Sequence, residues 1–400
     1  MNHIKIAHTH CRNTATLFIG LLMFLGVAVA KGESGATNDI NASFKNFTIT
    51  GQLNDTGITA GQCYQAGSDV LVSCNSAGAM ALNRAQDGMT GRDANASTNG
   101  NSDGQLGFSF SAVPGGCVQD NVTGLMWEVK AADGGLRDWQ KTYTNYSATY
   151  DPYHLYGKPT DASGFVAAVN ATKLCGYNDW RMPTADELQS IVDYGVPAPG
   201  PAVDTTWFPN TQGNMFWTAS SYVGYSSNVW YVNFKDGFVF SNYRYGTNYV
   251  RLVRAGQPQT QPRYTVSADG QEVADSQTGL IWRRCAEGMA FSGGTCTGTA
   301  LTLISEAAFQ HAAAQASSTG TAWRLPNVKE LSSIADKSRS NPAIDSAAFP
   351  ATPANLFFRS ASPVVDASSS AWSVNFYDGY TPGGGSRSNA GYVRLVRSAQ

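Results

Sequence analysis

The residues through which this 400-residue chain could do chemistry are few: six cysteines past residue 30, two histidines there, and a set of carboxylates and arginines that occurs twice. The cysteines are Cys63, Cys74, Cys117, Cys175, Cys285 and Cys296. An even number in an exported chain reads as disulfides, although six cysteines allow 15 connectivities. Position favours Cys63–Cys74, Cys117–Cys175 and Cys285–Cys296, the first and third sharing the spacing C-x10-C. Zinc would want four clustered Cys or His ligands, and no C-x2-C pair exists. Nucleophilic catalysis needs a base beside the nucleophile. His154 and His311 are the histidines left beyond residue 30, and neither recurs at the matching place in the other copy of the repeat described below. Calcium needs convergent oxygen ligands, whereas Asn178-Asp179 and Asp236-Gly237 are isolated turn signals. No Gly-rich phosphate loop follows a strand. The expectation is no catalytic residue, no metal and no cofactor.

The duplicated set is Arg181/Arg324, Glu187/Glu330, Asp193/Asp336, Asp204/Asp345 and Arg251/Arg394. A carboxylate-based hydrolase could use it, but capping helices and pairing within loops accounts for the same residues more simply. Trp127, Trp180 and Trp230 alternate with other apolar residues and read as core anchors. The remaining candidate is a tyrosine-rich stretch holding Tyr222, Tyr225, Tyr231, Asn242, Tyr243, Arg244, Tyr245 and Asn248. Tyrosines and amides on hairpin loops stack on sugar rings and hydrogen-bond hydroxyls, and they lose little entropy on binding. The second copy replaces much of this with Pro382-Gly-Gly-Gly-Ser-Arg-Ser-Asn389, so the first copy is the better ligand surface.

These residues need elements to hold them. Val118 to Trp127 returns as Val273 to Trp282, Trp180-Arg181-Met182-Pro183 as Trp323-Arg324-Leu325-Pro326, Trp230 to Gly237 as Trp372 to Gly379, and Tyr249 to Arg254 as Tyr392 to Arg397. Two such long copies are tandem domains rather than a solenoid, whose units are about 20–50 residues. Within the first copy, Gly124 to Lys130 reads as a strand and Asp161 to Leu174 as a helix, with Ser305 to Ala316 its counterpart. Thr184 with Glu187, and Asn327 with Glu330, form capping boxes that start second helices ending near Tyr194 and Lys337. Val229 to Phe234, an Asp236-Gly237 turn, Phe238 to Tyr243 and Tyr249 to Arg254 read as an antiparallel sheet.

Residues 1–30 carry Lys5 and Arg12, an apolar run from Leu17, and an Ala28-Val29-Ala30 site, which together read as a cleaved secretory signal peptide. The run is too short for the roughly 20 residues of a spanning helix, so no membrane span is expected. Export to the periplasm, cell surface or medium follows. Residues 31–110 are an Asn-, Ser- and Gly-rich extension, 111–256 the first copy, 257–263 a linker, and 264–400 the second copy. Only 14% of residues are charged, and the net charge after cleavage is 25 minus 29, or −4, which disfavours nucleic acid and anionic membrane as partners.

Thr123-Gly124-Leu125-Met126-Trp127, Trp180 to Thr184, Phe216-Trp217-Thr218-Ala219-Ser220-Ser221, Trp230 to Gly237 and Tyr249 to Arg254, with their second copies, resemble a bacterial family named for the C-terminal domain of the Legionella collagen-like adhesin. The resemblance covers both copies. The block order and the Arg-x-Pro-Thr helix start are also similar to C-type-lectin-like folds and their formylglycine-generating relatives. The fold class this implies is α+β: two tandem C-type-lectin-like domains, each with two short helices and a twisted antiparallel sheet, stapled by disulfides. The namesake binds sulfated glycosaminoglycans. This chain lacks Gly-X-Y repeats, and its copies carry net −2 (10 basic, 12 acidic) and 0 (10 and 10), so no basic surface suited to sulfated chains is expected. The resulting expectation is an exported, non-catalytic adhesion protein that recognises a glycan or surface protein through first-copy loops. A structural component of the envelope is the alternative.

Overall fold

The computed structural model describes Phe44 and residues 52–91, 107–255 and 262–399. The signal peptide, the 92–104 stretch and most of the linker lie outside the described residues. Each repeat begins with a four-stranded antiparallel sheet. In the first it runs Phe110–Val113, Cys117–Asp120, Met126–Glu128 and Val253–Arg254, and in the second Tyr264–Val266, Glu272–Asp275, Leu280–Arg283 and Val396–Ser398. The last strand of each comes from the repeat's C-terminal end, so each repeat closes on its own start. A second sheet follows. It has three strands in the first repeat (Met215–Ser221, Asn228–Asn233, Phe238–Tyr243) and five in the second, centred on Phe357–Pro363 and Ser370–Asn375.

Among the described residues five α-helices accompany these sheets: α1 (Ala77–Leu82) in the extension, α2 (Ala162–Thr172) and α3 (Ala185–Ser190) in the first repeat, α4 (Ser305–Thr319) and α5 (Val328–Ser333) in the second. Asp161 caps α2 by accepting the Ser163 N–H, and both capping boxes form at α3 and α5. Those two helices stop after six residues, short of Tyr194 and Lys337. The chain leaves the helix because the Asp193 and Asp336 amides donate instead to Ala202 and Ala343.

The expected α+β pair of C-type-lectin-like domains is therefore corrected. The chain is mostly β, with 29% strand against 15% helix, and its sheets form a ring resembling a four-bladed β-propeller, with three disulfides. The lectin-like reading leaned on one short motif and on element order. That motif makes a local cap and ion pair in each repeat and carries no information about how the sheets pack.

The two repeats share a core. Ile58, Trp127, Leu188, Trp230 and Val239 pack in one cluster with Val328, Val364 and Trp372 of the second repeat. Tyr194 meets Trp372 edge-on at 4.7 Å, and Phe238 meets it at 5.5 Å. Burying each such side chain contributes roughly 1.5–3 kcal/mol, so the inter-repeat contact is part of the fold itself.

Residues 54–58 of the extension complete this junction as a strap. The Tyr194 N–H donates to the Thr56 carbonyl at 2.7 Å. Asn54 Nδ2 donates to Asp120 at 2.6 Å, and Thr56 Oγ1 to Asp87 at 3.1 Å. Lys329 of α5 reaches across to donate to the Asp55 and Ser190 carbonyls at 2.5 and 2.8 Å. Gly57 has φ +84°, and a Cβ there would lie 2.2 Å from Asp193 Oδ1, so glycine is required for the strap to lie this close. The Cys63–Cys74 disulfide and the hairpin Cys63–Gln65/Ser68–Val72 anchor the chain just after the strap.

Candidate functional site

The tyrosine-rich stretch falls on the second sheet of the first repeat, and the structure divides its residues into two groups. Arg244 is buried. Its Nε donates to Ser226 O, its Nη1 to Asn145 O and its Nη2 to Ser221 Oγ, all at 2.8–2.9 Å. Burial pulls its pKa down, while Asp161 opposes the shift. Asn248 is buried and pairs through its backbone with Tyr143. Tyr231 is half-buried against Phe240, and burial raises its hydroxyl pKa. Asn242 turns back to accept the Tyr243 N–H. These four hold the loops in place.

Tyr225, Tyr243 and Tyr245 face solvent at 68%, 50% and 54% exposure. The Tyr243 and Tyr245 rings stack on each other, centroids 5.1 Å apart and planes within 12°. Between them in sequence, Arg244 is fixed by its three acceptors, so the pair is a preformed ledge rather than two free side chains. Tyr225 stacks at 6.3 Å on Tyr222, whose ring rests on Trp230 and whose hydroxyl donates to Asp378 of the second repeat at 3.3 Å.

The duplicated charged residues are spent on structure. Arg181 forks onto Glu187 at 2.6 and 2.7 Å, and Arg324 onto Glu330 at the same distances. Asp204 and Asp345 cap turns through the Thr206 and Ala347 amides. Arg251 and Arg394 are fully buried, each donating to main-chain carbonyls and to a threonine (Thr211, Thr352), with a phenylalanine ring at 4.8–4.9 Å. His311 pairs with Glu287 at 2.7 Å. The cysteines form Cys63–Cys74, Cys117–Cys175 and Cys285–Cys296. Among the described residues no group of His, Cys, Asp and Glu comes together that could hold a metal ion, and no helix is long and apolar enough to cross a membrane.

The profile of the Lcl C-terminal domain family matches residues 116–254 and again residues 271–397. The chain belongs to the Lcl C-terminal domain family. Each match spans one repeat, so the protein is a tandem pair of Lcl C-terminal domains preceded by the strap-bearing extension. The family is of adhesin type. Three disulfides suit an Lcl protein that works outside the reducing cytoplasm. No curated protein matches the chain significantly.

Sequence reasoning missed the polar cluster beneath the strap. Lys329 is buried, and burial lowers its pKa to about 7 against the pull of Asp193, Asp55, Asp120 and Asp87. Burial raises Asp193 to about 7, and burial together with Asp55 raises Asp87 to about 8. One signal was present: Lys329 aligns with Asp186 of the first repeat, a charge reversal at a position that is otherwise helix surface.

Proposed function

We propose that this protein is an exported bacterial binding protein of adhesin type that holds a glycan against the exposed tyrosines of its first Lcl domain. The observation that carries this reading is the stacked Tyr243–Tyr245 pair, half-exposed and fixed by the buried Arg244 between them. A rigid aromatic face loses little entropy when a sugar ring stacks on it, and the phenol hydroxyls at its rim can bond sugar hydroxyls. Family membership supports adhesion, and the committed state of Glu187, Glu330, Asp204 and Asp345 speaks against a carboxylate hydrolase.

The test is a glycan array probed with oxidised protein spanning Lys31 to Gln400 at low and physiological salt. Binding that survives salt and disappears in the Tyr243→Ala/Tyr245→Ala variant supports the reading. Binding lost on adding salt returns sulfated chains to consideration and contradicts a stacking mechanism. A blank array with folded protein removes the glycan and leaves envelope assembly as the better account.

A further inference from the structure

The internal repeat creates two equivalent junctions between the domains, and only one of them is filled by the strap. At the strapped junction, residues 54–58 lie between Lys329 of α5 and the Asp193–Gly195 turn of the first repeat. Exchanging the repeats gives a second junction, between Asp186 of α3 and the Asp336–Ser338 turn of the second repeat. There the structure holds an open groove of about 910 Å3, walled by Asp186, Val223, Tyr264, Ile334, Lys337 and Ser338.

The correspondence extends to individual polar groups. At the strapped junction the Tyr194 amide donates to the strap carbonyl of Thr56; at the open one the equivalent Lys337 amide has no acceptor among the described residues. Asp120 accepts a bond from the strap's Asn54, whereas the equivalent Asp275 accepts from Arg263, the last residue of the linker, at 2.8 and 2.9 Å. The Ser190 carbonyl is bonded by Lys329, and the equivalent Ser333 carbonyl by Arg263 at 2.7 Å. The open groove thus meets the demands of its floor through Arg263 and, among the described residues, leaves the Lys337 amide without an acceptor.

We propose that this groove binds an extended peptide segment of a partner protein, in the manner in which its twin holds the protein's own strap. Two differences define the guest. Where the twin has Lys329, whose Nζ donates to the main-chain carbonyl of Asp55, the open groove presents the carboxylate of Asp186, an acceptor about half exposed and paired with Lys337. The guest therefore offers Asp186 a side-chain donor at the place where the strap offers Lys329 the Asp55 carbonyl, and a lysine there competes with Lys337 for the carboxylate. Where the twin has Gly195, the open groove has Ser338. A Cβ at Gly195 would lie 2.1 Å from the Gly57 carbonyl, so the guest rides higher on Ser338 than the strap does on Gly195. Ser221 and Val223 of the groove lining adjoin the tyrosine-bearing loops, but peptide binding here does not depend on the glycan reading.

The experiment uses two labelled nonapeptides with the strap sequence of residues 52–60, one native and one with lysine in place of Asp55, titrated into the full chain by fluorescence polarisation. The lysine peptide is expected to bind about tenfold more tightly than the native one. Asp186→Asn should erase that preference, and Ser338→Gly should tighten both peptides by letting them seat deeper. Ser338→Trp, at an exposed position, should abolish binding while thermal unfolding stays as in the wild type. Absence of binding of either peptide to wild type and to Ser338→Gly, or binding that Ser338→Trp leaves intact, overturns the proposal.

Discussion

Replacing Gly57 by alanine puts the strap to a direct test. Its φ of +84° places an L-residue in left-handed backbone, a cost of roughly 1–2 kcal/mol. The added Cβ would lie 2.2 Å from Asp193 Oδ1, which already accepts the Gly195 N–H at 2.9 Å and cannot swing away without giving up that bond. Overpacking of this kind costs about 1–3 kcal/mol, so the local penalty is about 2–5 kcal/mol. Against it stand the burial of Ile58, worth about 2 kcal/mol, and four hydrogen bonds through Asn54, Asp55 and Thr56 at about 1 kcal/mol each. The two sides are comparable, so Gly57→Ala should release residues 54–58 while the sheets stay folded. Hydrogen exchange at the Tyr194 amide reports this, because its acceptor is the Thr56 carbonyl. A loss of about 3 kcal/mol there corresponds to exchange roughly a hundredfold faster. Gly67→Ala is the matched control: φ is +67° but nothing lies within 4 Å of its Cβ, so only backbone strain of about 1–2 kcal/mol applies, and Tyr194 protection should hold. Unchanged Tyr194 exchange in Gly57→Ala, or equal effects in the two variants, would refute the close-packed strap.

Other consequences can be measured on the same protein. Asp193 and Asp87 are raised from 3.8 to about 7 and about 8, so the native state binds protons that the unfolded chain has released. Their contribution to stability is full below about pH 4 and is lost as pH rises to about 7 and 8, at up to about 1.4 kcal/mol per pH unit for each. Urea unfolding between pH 4.5 and 7 should show that falling stability, and Asp193→Asn should flatten it; a slope the same in both proteins contradicts the assignment. Lys329 acts with opposite sign, its lowered pKa adding stability as pH climbs above about 7. Glu187→Gln and Glu330→Gln break the same bidentate pair, one with Arg181 at 42% side-chain exposure and the other with Arg324 at 11%. The first should cost about 1 kcal/mol and the second about 3 kcal/mol, since removing one partner of a buried pair strands a charge; equal losses would show that burial is not what distinguishes the repeats. Cys117→Ser/Cys175→Ser opens a cross-link between residues 58 apart, with an expected loss of about 4 kcal/mol in chemical unfolding.

Much of the local structure was legible in the sequence because it rests on short-range rules. Thr184 with Glu187 and Asn327 with Glu330 specify caps through bonds three residues apart, and the alternation of Trp230, Val232 and Phe234 specifies a buried strand face. The arrangement of the sheets was not legible. The strand Val253–Arg254 joins a sheet whose other members lie more than a hundred residues earlier, and nothing in its own residues names those partners. Of the tyrosine stretch, the sequence marked the region but not which members face out. Arg244 looks like a surface cation and is buried, because its acceptors at Asn145, Ser221 and Ser226 come from other segments. The strap was invisible for the same reason: Thr56 and Gly57 are ordinary loop residues until Tyr194 and Asp193 are placed beside them.

We propose ligand recognition through the stacked pair of tyrosines on the first Lcl domain. It is tested most directly by titrating the strongest array glycan into wild type and into Tyr243→Ala/Tyr245→Ala at physiological salt, with near-UV circular dichroism and thermal unfolding as checks on the fold. The variant should lose affinity by about tenfold or more, from two ring contacts of roughly 0.5–1.5 kcal/mol each, with unfolding unchanged. Equal affinity in a folded variant would contradict it and move recognition elsewhere on the molecule.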